Sequence, residues 1–269
     1  MNVRPLFLLA CACAATAGFA QVELIGRDQY PQFRGASGLP GSGAPVRPVG
    51  GIGLGGAWTL TTPIAYSLGH WQFFFGGSLL STDGAIPPFA KNSGSAEALN
   101  SNGTFWQMGG FKFGDVGDLT LANMFVSTEG DNGSNVHFRF NVGDPRVGFA
   151  VGIQDTAGQV GSAGDVFPAD DVRTSRSAYG VVTLEVGEKS FVSAGWGTRR
   201  FEKGFASATH WVSDRWAVFT EFEGKHWNVG AGYGFGYAGF SVRGSRAEGF
   251  MSFGTVRGKY PFWSVGVGF

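Results

Sequence analysis

Past its first residues the chain has no cysteine: its two, Cys11 and Cys13, both lie in a stretch that reads as removable. Without thiols the rest of the chain forms no disulfide, carries no thiolate nucleophile and builds no Cys-based zinc site. Net charge is missing too, since 20 basic and 20 acidic side chains cancel, which removes the field that nucleic-acid binding would need. After residue 20 no apolar run approaches the roughly 20 residues of a spanning helix, so an α-helical membrane protein is excluded. The four histidines, His70, His137, His210 and His226, lack zinc-site spacing, and neither a metal nor a cofactor is expected. Gly51-Ile52-Gly53-Leu54-Gly55-Gly56 has no strand before it or helix after it, as a dinucleotide loop requires.

What is present points across a membrane. Arg4, the apolar run from Leu6 to Ala15 and the small residues up to Ala20 read as a secretory signal peptide over 1–20. At the other end Trp263, Val265, Val267 and Phe269 alternate with Ser264, Gly266 and Gly268, the pattern of a strand with one apolar face. A final Phe on such a strand resembles the insertion signal that barrel-assembly machinery reads. The chain also holds 46 Gly, 26 Phe and 8 Trp; aromatics suit lipid faces and interface girdles, and glycine suits turns and crowded interiors.

Residues 21–56 are rich in Gly, Pro and Ser without periodicity and read as a flexible N-terminal extension. From 57 to 269 alternating segments separated by turn residues predict a single antiparallel transmembrane β-barrel of 12–14 strands, 14 being the best count. The segments are 57–66, 70–80, 103–113, 118–127, 135–142, 146–154, 176–185, 190–199, 205–212, 215–223, 226–235, 237–246, 249–257 and 261–269. With both termini on the periplasmic side, this count puts the long connections 81–102 and 155–175 on that side as well. Barrels of this class carry short periplasmic turns, so the parity is awkward, and 57–66, interrupted by Pro63, is the suspect strand. Trp227, Val229, Ala231, Tyr233 and Phe235 oppose Asn228, Gly230, Gly232 and Gly234, which predicts an interior with little room.

Strand parity selects Arg139, Asn141, Arg199, Glu221, Glu223, Asn228 and Arg243 as lumen-lining candidates, with Glu221 and Glu223 on one face and neutralised by Arg139, Arg199 or Arg243. The same two carboxylates are spaced compatibly with acid/base work, and the lumen charge cluster is the preferred reading. His210 and Ser213 bring an imidazole and a hydroxyl close in sequence, but a three-residue offset puts them on opposite faces of a strand. No catalytic residue is therefore assigned.

Four groups of residues carry a family resemblance: Thr61-Thr62-Pro63-Ile64-Ala65, Gly152-Ile153-Gln154-Asp155-Thr156-Ala157-Gly158, Gly195-Trp196-Gly197-Thr198-Arg199-Arg200-Phe201, and Glu221-Phe222-Glu223-Gly224 followed by Asn228-Val229-Gly230. In this order they resemble the YjbH-like exopolysaccharide-associated outer-membrane barrels. The resemblance implies a non-enzymatic barrel in the outer membrane of a two-membrane bacterium, associated with exopolysaccharide secretion or assembly. Its partners would be outer-membrane lipid, the barrel-assembly machinery through the C-terminal strand, and polysaccharide or export-system proteins, with no nucleic acid. The alternatives are a small-solute porin-like channel and, less favoured, an outer-membrane lipid hydrolase.

Overall fold

The computed structural model describes residues 36–81, 101–126, 131–156, 176–224, 226–242 and 244–269. The signal-peptide segment, residues 21–35 of the extension, Arg243 and most of both long connections lie outside these residues.

Two short strands, β1 (Val46–Arg47) and β2 (Gly51–Ile52), form a small hairpin. Twelve further strands follow: β3 (Phe73–Ser81), β4 (Ser101–Phe113), β5 (Gly117–Val126), β6 (Asp131–Phe140), β7 (Val147–Gln154), β8 (Ser177–Glu185), β9 (Ser190–Gly197), β10 (Phe205–Trp211), β11 (Trp216–Phe222), β12 (Trp227–Val242), β13 (Ser245–Val256) and β14 (Tyr260–Gly268). Each pairs antiparallel with its neighbours in sequence, and β14 pairs with β3 to close the barrel. Closure satisfies every strand edge, which is what lets a sheet cross lipid.

The period of two sorts side chains cleanly. Along β7, Phe149, Val151 and Ile153 are exposed on the outside while Gly148, Ala150, Gly152 and Gln154 are buried inside. Phe105, Leu121, Phe125, Val182, Leu184, Val192, Phe253 and Val265 continue the exposed apolar belt around the barrel, the outer surface of a barrel solvated by lipid.

Two differences reduce fourteen expected strands to twelve. Segments 226–235 and 237–246 are one strand, β12, whose register slips at Gly234/Gly236 and between Tyr237 and Ser241. Gly236 (φ 70°) and Gly239 (φ 90°) make bulges there, where the sequence suggested a turn. Segment 57–66 is not a strand at all. It lies inside the barrel with its neighbours, and Trp58, Leu60, Ile64, Tyr66 and Leu68 are fully buried. Its alternation reflects enclosure by wall on all sides, and Pro63 sits where the chain reverses.

With twelve strands the parity problem disappears. The ends of the barrel, the short connections 114–116, 141–146, 186–189 and 212–215, and the facing ends of β12 and β13 lie at one mouth. The connections 82–100 and 155–176 leave from the opposite mouth.

The extension is likewise an interior segment over the residues described. From Ala36 to Ser67 nearly every residue is buried, except around the β1–β2 hairpin and its following turn. The segment is tied to itself by Val46–Ala57 main-chain pairing and by the Ser42 hydroxyl, which donates to Leu60 O. It starts near the long-connection mouth, forms the hairpin at the short-turn mouth, rises to residues 60–62, then descends into β3.

Room for it comes from small wall residues. A Cβ on Gly232 would sit 2.4 Å from the Trp58 ring, and one on Gly148 would meet Ala65 and Tyr66 at 2.9–3.0 Å. Trp58 packs in that space against Trp211, Phe219 and Phe250, with ring centroids 6.0–6.3 Å apart. Rings in such offset and edge contacts add about 0.5–1.5 kcal/mol per pair beyond area burial.

Candidate functional site

The polar residues of the inner wall face this internal segment, and most of them bind its main chain. Thr209 Oγ1 accepts from Trp58 N (2.9 Å) and donates to Trp58 O (2.7 Å). Trp211 Nε1 donates to Gly56 O, Asn135 Nδ2 to Ser37 O and Gly38 O, and Thr104 Oγ1 to Ala36 O. Thr183 and Thr120 accept from Ala65 N and Leu68 N. A buried segment without its own ladder must find partners for its peptide groups, and the wall supplies them.

The densest contact is at Glu221, wholly buried on the inner face of β11. Its carboxylate accepts from the amides of Leu60, Thr61 and Thr62 at 3.0–3.2 Å, from the hydroxyls of Thr61 and Thr62 at 2.8 Å, and from Asn228 Nδ2 at 2.8 Å. A buried carboxylate is tolerated when its lone pairs are filled in this way. Arg200 is buried close by; its Nη1 donates to Gln154 Oε1 (2.7 Å) and its Nη2 to Thr61 O (3.1 Å). The Thr61 residue thus gives its N–H to an acid and its C=O to a base, so the two charges are matched to opposite ends of one stretch of main chain.

The four groups of residues that carried the family resemblance meet here. Thr61 and Thr62 come from the first, Gln154 from the second, Arg200 from the third, and Glu221 with Asn228 from the fourth. Segments spread over more than half the chain form one polar network in the long-connection half of the lumen.

The lumen candidates divide. Glu221, Asn228 and Arg139 face inward; Arg139 lies 3.8 Å from Asp118 and over the Tyr66 ring at 5.6 Å. Glu223 is close to Arg257 (3.9 Å), both largely buried. The expected neutralisation of Glu221 and Glu223 by Arg139, Arg199 or Arg243 is therefore corrected for the described residues. Glu221 is held by amides and hydroxyls, and Glu223 lies beside an arginine from the β13–β14 turn.

Two candidates do not line the lumen. Asn141 is exposed in the β6–β7 turn, where its Oδ1 accepts from Gly143 N. Arg199 is exposed at the long-connection rim, because β9 ends at Gly197 and a 3₁₀ turn over Arg199–Phe201 breaks strand parity. The inward guanidinium is the next residue, Arg200. An adjacent Arg-Arg pair at a strand end was the available signal, but alternation extended past Gly197 chooses the wrong member. Arg243 lies outside the described residues.

His210 and Ser213 do not pair. Ser213 Oγ accepts from Arg215 N and Trp216 N in the turn, while His210 Nδ1 meets Ser190 across the β9–β10 ladder at 2.9 Å, on the outward face. Trp263, Val265, Val267 and Phe269 share the outer face of the closing strand, and the Phe269 ring lies 6.1 and 5.9 Å from Phe73 and Phe75 of β3.

No family model and no curated protein matches the chain. Solved structures similar to it include a KdgM porin in complex with disordered oligogalacturonate (7% identity, 74% of this chain and 98% of that one, TM-score 0.45). An outer-membrane channel from Pseudomonas putida F1 (10%, 75% and 96%, 0.36) and a bacterial polysaccharide outer-membrane secretin (7%, 74% and 98%, 0.34) are also similar.

Proposed function

We propose that the chain is a non-enzymatic outer-membrane β-barrel of the channel class, closed at rest by its own residues 36–68 and passing small polar solutes when that segment yields. The observation that carries this is the chemistry of the wall. Thr104, Thr120, Asn135, Thr183, Arg200, Thr209, Glu221 and Asn228 come from eight parts of the barrel and present a hydrogen-bonding lining. With the segment displaced, the same groups would line an aqueous path with an acid and a base in its upper half.

The small-solute reading stands ahead of polysaccharide export, because wall residues this tightly matched to a single thin segment leave a narrow path. Convergence of the four resemblance motifs on one network favours the second reading, a YjbH-like barrel that stays closed while serving polysaccharide assembly.

Conductance separates them. An ideal Cβ on Gly38 lies 3.7 Å from Ala122 Cβ, within the range of a disulfide, and the chain past the leader has no other thiol. Because Gly38 has φ 64° and its Cβ would sit 3.3 Å from Asn135 Nδ2 and Trp106 Cβ, the Gly38→Cys single variant is the control for strain. In planar bilayers the wild type is expected to open intermittently under voltage. Oxidised Gly38→Cys/Ala122→Cys protein should stay silent, and reductant should restore the openings. A wild type that never conducts would overturn the channel reading.

A further inference from the structure

Charge is balanced at one end of the barrel and not at the other. At the short-turn mouth the connections 114–116, 141–146, 186–189 and 212–215 carry three basic and four acidic residues. Arg146 and Lys189 are paired there with Asp144 and Asp214 at 3.1 Å. At the long-connection mouth the turns 198–204, 223–226 and 257–259, which join β9 to β10, β11 to β12 and β13 to β14, carry six basic residues against two acidic. Two of the six are used inside the barrel, Arg200 on Thr61 O and Arg257 beside Glu223. Arg199, Lys203 and Lys259 are exposed, and among the described residues none of the three has a carboxylate within ion-pair distance. The turns form one rim: a Cβ on Gly224 would lie 3.6 Å from Lys203 Cβ, and Arg257 N donates to Asn228 Oδ1 of β12. Next to this rim the outer wall carries tryptophan. Trp196 near the end of β9, Trp227 at the start of β12 and Trp263 near the start of β14 occupy outward positions. The Trp196 ring is 67% exposed and its Nε1 already donates to Glu202 O, so what it offers outward is an apolar face.

We propose that the rim of β9–β14 at the long-connection mouth binds a membrane lipid whose phosphate headgroup carries net negative charge, with the lipid's tails lying along the outer wall. Basic groups at a membrane surface attract anionic headgroups, and tryptophan settles at the boundary between headgroup and acyl chain. An amphiphile uses both features at once. A soluble anion would meet the cations and leave the rings idle, and a neutral lipid would do the reverse. Arg199 presents a planar fork that fits two phosphate oxygens, while Lys203 and Lys259 act as point charges. Each such cation strengthens the attraction about fivefold, and Glu202, exposed in the same turn as Lys203, offsets one of them. Two uncompensated cations predict a preference of roughly tenfold or more over a neutral lipid. The inference rests on the membrane placement of the wall and not on the opening of the lumen.

Native mass spectrometry of the full chain tests this, with the protein released from micelles that hold phosphatidic acid and phosphatidylcholine of the same acyl chains in equal amounts. The wild type should retain phosphatidic acid over phosphatidylcholine by roughly tenfold or more. Arg199→Gln/Lys203→Gln/Lys259→Gln should bring that ratio close to one, with heat-dependent gel mobility unchanged. Lys112→Gln/Arg215→Gln removes two exposed cations from the short-turn end and should leave the ratio as it is. Millimolar inorganic phosphate, the headgroup without its tails, should not displace the bound lipid, and Trp196→Ala should lower its retention. A wild-type ratio near one, a ratio indifferent to the triple substitution, an equal loss in the short-turn variant, or displacement by inorganic phosphate, which would mark a site for soluble anions, would each overturn the proposal.

Discussion

The two mouths of the barrel hold the internal segment by different means. In the long-connection half the grip is ionic: Glu221 and Arg200 take opposite ends of the Thr61 main chain, with Asn135 adding two bonds to Ser37 and Gly38. At the short-turn mouth it is aromatic and made of neutral hydrogen bonds, apart from the Arg139 guanidinium over the Tyr66 ring. Gln72 bridges Ile52 N, Gly69 N and Gly50 O, Trp211 holds Gly56 O, and the Tyr66 hydroxyl donates to Arg146 O. Charged hydrogen bonds in a water-poor interior are stronger and fail more completely when one partner is lost. Neutral bonds near solvent can be replaced by water. The segment should therefore loosen first at the short-turn mouth and open the lumen only when the charged hydrogen bonds of Glu221 and Arg200 to Thr61 go.

The largest effect should come from Glu221→Ala, which strands three amides, two hydroxyls and the Asn228 side chain. A loss of about 3–5 kcal/mol is expected, because several buried donors lose a charged acceptor at about 1–3 kcal/mol apiece. It would read as a lowered midpoint of denaturant unfolding in detergent and as raised open probability in bilayers. An unchanged midpoint would deny that the upper contact dominates. Thr209→Val, which keeps shape and removes both bonds to Trp58, should cost less, about 1–3 kcal/mol for leaving buried peptide groups unpaired, because the rings around Trp58 stay in place. If it proved as damaging as Glu221→Ala, the ionic and neutral grips would not differ.

The sequence disclosed the wall and hid what fills it. Strand alternation put Glu221, Asn228 and Arg139 on the inward face of their strands, since a period of two leaves no freedom once one face is apolar. The glycines at 232 and 234 pointed to a crowded interior, but not to Trp58 and Leu54 as the residues that do the crowding. Residues 36–56 read as loose because Gly, Pro and Ser carry no periodicity. Those same small residues let main chain pass close to wall side chains, and binding through peptide groups leaves no side-chain signature. Arg199 and Arg200 were distinguishable only with the 3₁₀ turn in hand, because alternation is blind past the end of a strand.

The smallest effect tests the comparison most finely. Gln72→Leu removes three hydrogen bonds at the short-turn mouth, all of them half-buried or exposed, so water can take over most of their work and the expected cost is about 1 kcal/mol. Global unfolding should barely shift. Amide hydrogen exchange should rise over residues 46–53, which lose the Gln72 bridge, while residues 58–62, held by Thr209 and Glu221, keep their protection. If exchange rose equally in both stretches, the segment would leave the lumen as one unit, and the two mouths would be two ends of a single cooperative contact.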